Sequence, residues 1–391
     1  MTGHEKKPEK RPLNLQYDTE QVILRDSAHA FLRDHYDYKT FRRIAASEAG
    51  MSPELWRQFA QLGWLGLPFS TDDGGVGGGP VETAILMEAF GRFLVIDPYL
   101  ETVLLGGGLI CALGTAAERK ALLEPIMEGK SLLAFAHDDE AAPITATSTS
   151  YGFVLSGAKK LVLAAPLADQ LLVSAQLGGD RLGVFVVPKT GSGLTMRPVR
   201  LADGRRAADV ELNGVEVPAK ALLGSNDNAG AAVASVIDRA IAALSADAVG
   251  AIATMVSATV DYTKTRVQFG QPIAKFQALQ HRMVRMRVAE EEARAFALFA
   301  TLALDGPPEQ RARAVSGAKA KVGRSARFVH QTAIQLHGAI GTTNELSLGA
   351  YAKRLMAYEA LFGPTREHLR RYGALIAKPD RAAEGLLTAM A

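Results

Sequence analysis

Residues 262–280 read YTKTRVQFGQPIAKFQALQ. The stretch begins as the tail of a long apolar helix, breaks at Phe269-Gly270-Gln271-Pro272, and then resumes a helical period. Proline removes a backbone donor and clashes inside a helix, and glycine favours a helix stop. The upstream helix is therefore predicted to run from Asn228 to about Gln268. The next starts near Ile273 and carries Phe276, Leu279, Met283, Met286, Ala293 and Phe296 on one face. A third helix is predicted from Pro308 to His337, where GAIG breaks it, and a fourth holds AYEALFG at 357–363. Four helices in succession predict a C-terminal four-helix bundle over residues 228–391.

Upstream of this bundle the texture changes. Between residues 131 and 227 the segments are short and β-like: GFVLSG, KKLVLAA, QLLVSAQ, LGVFVVP and AADVELNGVEVP. Gly, Pro, Asp and Asn separate them, which is the punctuation of an antiparallel barrel or sandwich. Residues 1–130 read as helices again. QVILRDSAHAFLRDHY places Val22, Ile23, Ala28, Phe31 and Leu32 at helical spacing, and SPELWRQFAQLG opens on a capping box from Ser52. The expected class is α+β: an N-terminal helical domain, a middle β domain and a C-terminal helical bundle.

The bulk properties exclude several functions. A chain of 391 residues with 48% hydrophobic and 22% charged residues is an ordinary globular composition. A net charge of +3 offers no field for a nucleic acid. The one basic run, HEKKPEKR at 4–11, has no apolar segment behind it and reads as a solvated tail, not a secretory signal. Cys111 is the only cysteine, which excludes an intrachain disulfide and a cysteine metal cluster and suits a reducing cytoplasm. The uncharged runs from Thr102 and Asn228 are short and rich in Gly and Ala, so they read as buried helices and no membrane is expected.

Four segments together resemble the acyl-CoA dehydrogenase family: GWLGLPFSTDDGGVGGG (63–79), GAKKLVLAA (157–165), YTKTRVQFGQPIAKFQALQ (262–280) and QLHGAIGTTNE (335–345). The third carries the most specific match, through Tyr262, Arg266, Phe269, Gly270, Pro272, Ile273, Phe276 and Gln277. Within the family the chain most resembles the small subunit of pimeloyl-CoA dehydrogenases, of heterotetrameric α2β2 type. The resemblance implies an oxidoreductase of β-oxidation that uses FAD to desaturate an acyl-CoA thioester. A carboxylate removes the α-proton, the flavin accepts a β-hydride, and an electron-transfer flavoprotein accepts the electrons. It also implies a shared FAD, with the flavin ring on one subunit and the ADP end on its neighbour.

Carried over position by position, the resemblance divides this chain in two. On the ADP side, Arg266 stands at the phosphates, Phe269 and Gln277 at the adenosine, and Gln335, His337 and Gly338 at a turn whose backbone approaches the cofactor. On the ring side, Leu161 and Leu163 stand where relatives write Trp and Thr, and a leucine side chain cannot donate a hydrogen bond. Asp138, Asp139 and Glu140 stand where relatives write Thr-Glu-Pro, and like charge opposes a reduced flavin. The usual base position falls on Phe362, and the alternative base site on the long helix falls on Ala240, followed by Ile241. Glu359 and Asp238 are the only nearby carboxylates that could stand in.

The resemblance thus implies a non-catalytic subunit paired with a homologous large subunit, acting on bulky or dicarboxylic acyl-CoA. Two alternatives remain at this level: a self-sufficient homotetramer with Glu359 or Asp238 as base, and a flavin-free scaffold or regulatory subunit.

Overall fold

The computed structural model of the chain describes residues 16–139, 142–225 and 228–377. The basic run 4–11, Glu140 and the expected division between residues 227 and 228 lie outside the described residues or touch them only at one side. The N-terminal helices are α1 (Thr19–His35), α2 (Tyr38–Ala46), α3 (Pro53–Gln61) and α4 (Pro80–Phe93). A π-helical turn (Leu100–Gly107) then runs into α5 (Gly108–Leu113), followed by α6 (Ala116–Met127). The strands are β1 (Leu133–Ala136), β2 (Thr145–Ser148), β3 (Gly152–Leu163), β4 (Gln170–Gln176), β5 (Leu182–Pro188), β6 (Leu194–Arg200) and β7 (Arg206–Pro218). Helices α7 (Gly230–Thr265), α8 (Gln277–Leu302), α9 (Pro308–His337), α10 (Leu348–Ala360) and α11 (Thr365–Ala377) complete the chain, with the short strands β8 (Val267–Gln268) and β9 (Gln271–Pro272) between α7 and α8.

The helix–sheet–helix order is the one expected, with local differences. The expected barrel or sandwich is one seven-stranded sheet, in which β1 and β2 pair with β4 in parallel and the other pairings are antiparallel. Helix α7 stops at Thr265, not near Gln268, because Val267–Gln268 turns into a hairpin; α8 starts at Gln277, after a short 3-10 turn. A fifth C-terminal helix, α11, packs on α9. Ile23 is 62% exposed, since the buried face of α1 runs through Ala28 and Leu32 and Ile23 points off it. Phe296 is likewise exposed on α8, and Ala293 and Ala297 make the contact there. Ser52 caps α3 through the Leu55 N–H, but Leu55 is no Glu or Gln, so no reciprocal box forms. Such boxes close instead at Asp18 with Gln21 and at Thr115 with Glu118.

Helix α7 is the spine. By length and apolar composition it would cross a bilayer, yet 89% of its most apolar window is buried inside the protein. It crosses α4 at paired glycines. A β-carbon on Gly91 would stand 1.8 Å from the Asp247 carbonyl oxygen, and one on Gly250 would stand 2.0 Å from that of Glu88. Both obstacles are backbone, which cannot swing away, so only glycine permits this approach.

Behind that crossing lies a buried ionic cluster. Arg354 on α10 donates to both carboxylate oxygens of Asp247, at 2.9 and 2.6 Å, and to the Val95 carbonyl at 2.9 Å. Asp203, between β6 and β7, pairs with Arg205 at 2.7 Å and lies 3.7 Å from Arg354. Nearby, Asp97 accepts from the Tyr36 hydroxyl at 2.9 Å and the Ser52 N–H at 2.7 Å. Burial nevertheless pushes the Asp97 carboxyl up to about 6.

Two outcomes follow from this packing. Gly250→Leu is expected to cost at least ~1–3 kcal/mol, the usual range for overpacking, read as a lowered urea midpoint. The raised Asp97 pKa means the folded state binds the proton more tightly than the unfolded one. Its contribution is therefore complete below about pH 4 and is lost as pH rises through about 6. Asp97→Asn is expected to flatten that decline, on the order of 2–3 kcal/mol by the unit conversion, in urea titrations at pH 4 and pH 7.

Candidate functional site

One end of the helical bundle gathers the residues assigned to the ADP side. The hairpin joining α7 to α8 pairs Val267 with Pro272 and Gln268 with Gln271. Its two central residues, Phe269 and Gly270, have φ of 52° and 77°. Positive φ at both is the requirement of a type I′ turn, and for a bulky residue such as phenylalanine it is unfavourable. The turn holds Phe269 91% exposed, touched edge-on by Phe276 with ring centroids 6.1 Å apart. Arg266, at the hairpin base, is exposed, and its side chain forms no ion pair or hydrogen bond among the described residues. Gln277 is the exposed first residue of α8, whose N-terminus has no side-chain cap. Free N–H groups at a helix start attract anions, and an unpaired guanidinium beside them adds to that pull.

The Gln335–Gly338 turn sits at the same end because Tyr262 reaches it. The Tyr262 ring stacks on His337 with centroids 4.3 Å apart, and its hydroxyl donates to the His337 carbonyl at 3.3 Å. His337 is buried, with Nδ1 bonded to the Ala333 carbonyl at 2.9 Å. Gln335 is exposed. Gly338 has φ 68° and ψ −145°, a region essentially reserved to glycine, and a β-carbon there would meet nothing within 4 Å.

The residues that the resemblance puts on the flavin-ring side line a narrow cleft of about 110 Å³, with Leu105, Phe135, Leu161, Leu163, Ile237 and Phe362 among its walls. Sites for drug-sized ligands run to ~300–1,000 Å³. Leu163 is locked in the β3–β7 ladder opposite Ala207, while Leu161 sits in a bulge with φ 49°. Phe362 also has positive φ, 55°, and is followed by Gly363 at 92°. The buried Lys319 ammonium fixes this turn by donating to the Tyr358 carbonyl at 2.7 Å and the Gly363 carbonyl at 3.0 Å. Burial brings the Lys319 amine down to about 8. Of the acidic run, Asp138 lines the cleft, whereas Asp139 is neutralised by the buried Lys159.

Both substitute carboxylates are engaged by partners from other elements. Glu359 accepts from the Thr365 N–H at 3.0 Å and the Thr365 hydroxyl at 2.7 Å, and pairs with Arg327 at 3.3 Å. It is the N-terminal cap of α11. Asp238 is 2% exposed and held between Arg371 at 2.9 Å and Arg311 at 3.3 Å. Ala240 and Ile241 are fully packed, at 0% and 1% exposure. Sequence reasoning missed the Glu359 cap and the Asp238 clamp because their partners come from other elements.

Comparison with known proteins follows the same outline. The acyl-CoA dehydrogenase N-terminal domain model matches residues 18–130, and the C-terminal domain model matches residues 230–374. Acyl-CoA dehydrogenase IpdE2 of Mycolicibacterium smegmatis is 30% identical over 356 residues, covering 91% of this chain and 98% of the relative. A solved Tcur3481-Tcur3483 steroid ACAD has a TM-score of 0.83 at 30% identity, covering 92% of this chain and 98% of its own. The ChsE4-ChsE5 complex of Mycobacterium tuberculosis has a TM-score of 0.87 over 94% of this chain and 99% of its own, at 23% identity, a likeness of fold.

The cap role of Glu359 has a direct readout. Glu359→Ala is expected to cost ~1 kcal/mol, as for loss of other N-caps. Glu359→Gln, which keeps one oxygen for Thr365, is expected to cost less. Paired urea denaturation curves measure both.

Proposed function

The chain belongs to the acyl-CoA dehydrogenase family, and on that premise we propose that it is the non-catalytic partner in an FAD-dependent enzyme of α2β2 type. A homologous large subunit supplies the base and the flavin-ring pocket, and this chain supplies the ADP-end contacts. The observation that carries the reading is the contrast between the two sides. Arg266 and Phe269 stand exposed and unsatisfied, while Phe362, Leu161 and Leu163 close the cleft where a ring and a base would be needed.

The residues fit half of FAD. The Arg266 guanidinium would pair with pyrophosphate oxygens in a charge-assisted bond, aided by the uncapped start of α8. Phe269 offers its ring to the adenosine, Gln277 its amide, and Gly338 lets the backbone come close. The isoalloxazine half does not fit this chain's own cleft of about 110 Å³. Held at the shared interface, FAD would supply the hydride acceptor for desaturation of an acyl-CoA thioester, with the base supplied by the large subunit. Phe362 accepts no proton in that reaction; it keeps water and cofactor out of a redundant slot. The clamped Glu359 and Asp238 weigh against a self-sufficient homotetramer.

The pimeloyl-type resemblance and the 30% identity to a steroid ACAD support a bulky or dicarboxylic acyl-CoA as substrate. An electron-transfer flavoprotein is the acceptor implied by the family.

Purified alone, the chain is expected to be colourless. Co-purified with its large subunit, it is expected to carry one FAD per heterodimer. Arg266→Ala in that complex is expected to weaken FAD retention ~10–100-fold, the worth of a hydrogen bond to a charged group. A yellow chain that desaturates acyl-CoA unaided overturns the proposal. A complex whose flavin content ignores Arg266→Ala shows the ADP assignment to be wrong. A complex with no flavin at all supports the scaffold reading instead.

A further inference from the structure

A sizeable cleft in the described protein coincides with neither the ring-side cleft nor the ADP end. It is a cleft of about 590 Å³ between the N-terminal half of α4, the π-helical turn with α5, the start of α7 and the end of α8. Helix α7 keeps it apart from the ring-side cleft: Ile237 faces the latter, while Val236, Arg239 and Ala243 face the larger space. The π-helical turn divides its residues in the same way, Leu105 to one and Leu104 to the other. Such turns concentrate at functional sites because the extra residue per turn re-aims side chains.

We propose that this cleft is a second ligand site, which takes a neutral, mostly apolar ring- or chain-shaped molecule bearing a hydroxyl or carbonyl group. Its floor is apolar, made by Val103, Leu104, Val236 and Leu304. Its walls are kept open by small residues, among them Ala84, Gly108 and Ala112. Its lip is polar but electrically balanced. Asp73 is paired with Arg119 at 2.8 Å, and Arg239 is paired with Asp305. A carboxylate or an ammonium entering here would gain one member of a pair and face the other. A neutral hydrocarbon body with one or two hydroxyl or carbonyl groups displaces water from the floor and bonds at the lip without breaking either pair. The site does not depend on the FAD reading, since none of its residues is assigned to the cofactor.

Cys111 lines this cleft and is the only cysteine in the chain, so it reports on occupancy. The full chain, as purified, is treated with a small maleimide at pH 9 in the presence of 1-adamantanol, 1-adamantanecarboxylate or 1-adamantylamine, and thermal midpoints are recorded in parallel. The alcohol is expected to slow Cys111 alkylation at least fivefold and to raise the midpoint, with the two charged analogues giving less than half that protection. Ala112→Trp, which fills the cleft from an exposed position at its edge, is expected to abolish the alcohol's effect on the midpoint. Unchanged alkylation and midpoint up to the alcohol's solubility limit overturn the site. Stronger protection by either charged analogue overturns the assigned ligand class. A midpoint rise that persists in Ala112→Trp places binding elsewhere and overturns the assignment to this cleft.

Discussion

The fold depends on the Arg354–Asp247 pair. It joins α10 to α7, and through the Val95 carbonyl and Asp203 it reaches the end of α4 and the β6–β7 turn. Every part of the helix–sheet–helix architecture therefore meets at one guanidinium. The charges nearly balance: two arginines, 354 and 205, face Asp203 and Asp247. Burial pushes Glu101 up, and Arg205 offsets this only in part. At Asp203 burial raises and Arg205 lowers, and the arginines win. Removing one member of a buried pair typically costs ~3–5 kcal/mol because the other charge is left stranded. The space inside the cluster is only about 10 Å³, room for no more than one water, so there is nowhere for solvent to repair such a loss.

Around that anchor, polar groups are spent in opposite ways at the two ends of the protein. Near the ring-side cleft several polar groups are committed: Lys319 to carbonyls, Glu359 to a helix cap, Asp238 to two arginines, Lys159 to Asp139. At the hairpin end the pattern reverses, with Arg266 unpaired among the described residues, α8 without a side-chain cap and Phe269 held out in a backbone conformation phenylalanine does not favour. Saturated groups stabilise a fold and do no chemistry. Unsatisfied groups on a rigid turn are where a partner or ligand gains energy, because little ordering remains to be done on binding.

Much of this was legible in the sequence where the signal is local. The α9 limits, Pro308 and His337, follow from proline at one end and glycine at the other, and both hold. The FGQP break predicted a helix junction and the structure has one, although its hairpin shortened both neighbours. What was not legible depends on distant partners. Asp238 reads as an ordinary helix aspartate until Arg311 and Arg371 arrive from α9 and α11. The Asp247–Arg354 pair joins positions 107 residues apart, and no spacing rule reports it. The same holds for the parallel β1–β4 pairing, since strand patterning shows which face is buried and not which strand lies alongside.

The narrowness of the cleft and the aromatic residue at position 362 go together physically. A wider empty slot would forgo packing in proportion to its volume. Leu161, Leu163 and Phe362 supply that packing, and two of the three adopt positive φ to do so. Such backbone strain persists only where the surroundings over-determine it. Lys319 supplies that constraint at Phe362 by holding the carbonyls on either side of the turn. A single Phe362→Glu change would therefore place a second carboxylate in a narrow cleft that Asp138 already lines. Opening a catalytic site here would need the turn, the bulge and the lysine cage to change together, so what closes this cleft is structural and not confined to one residue.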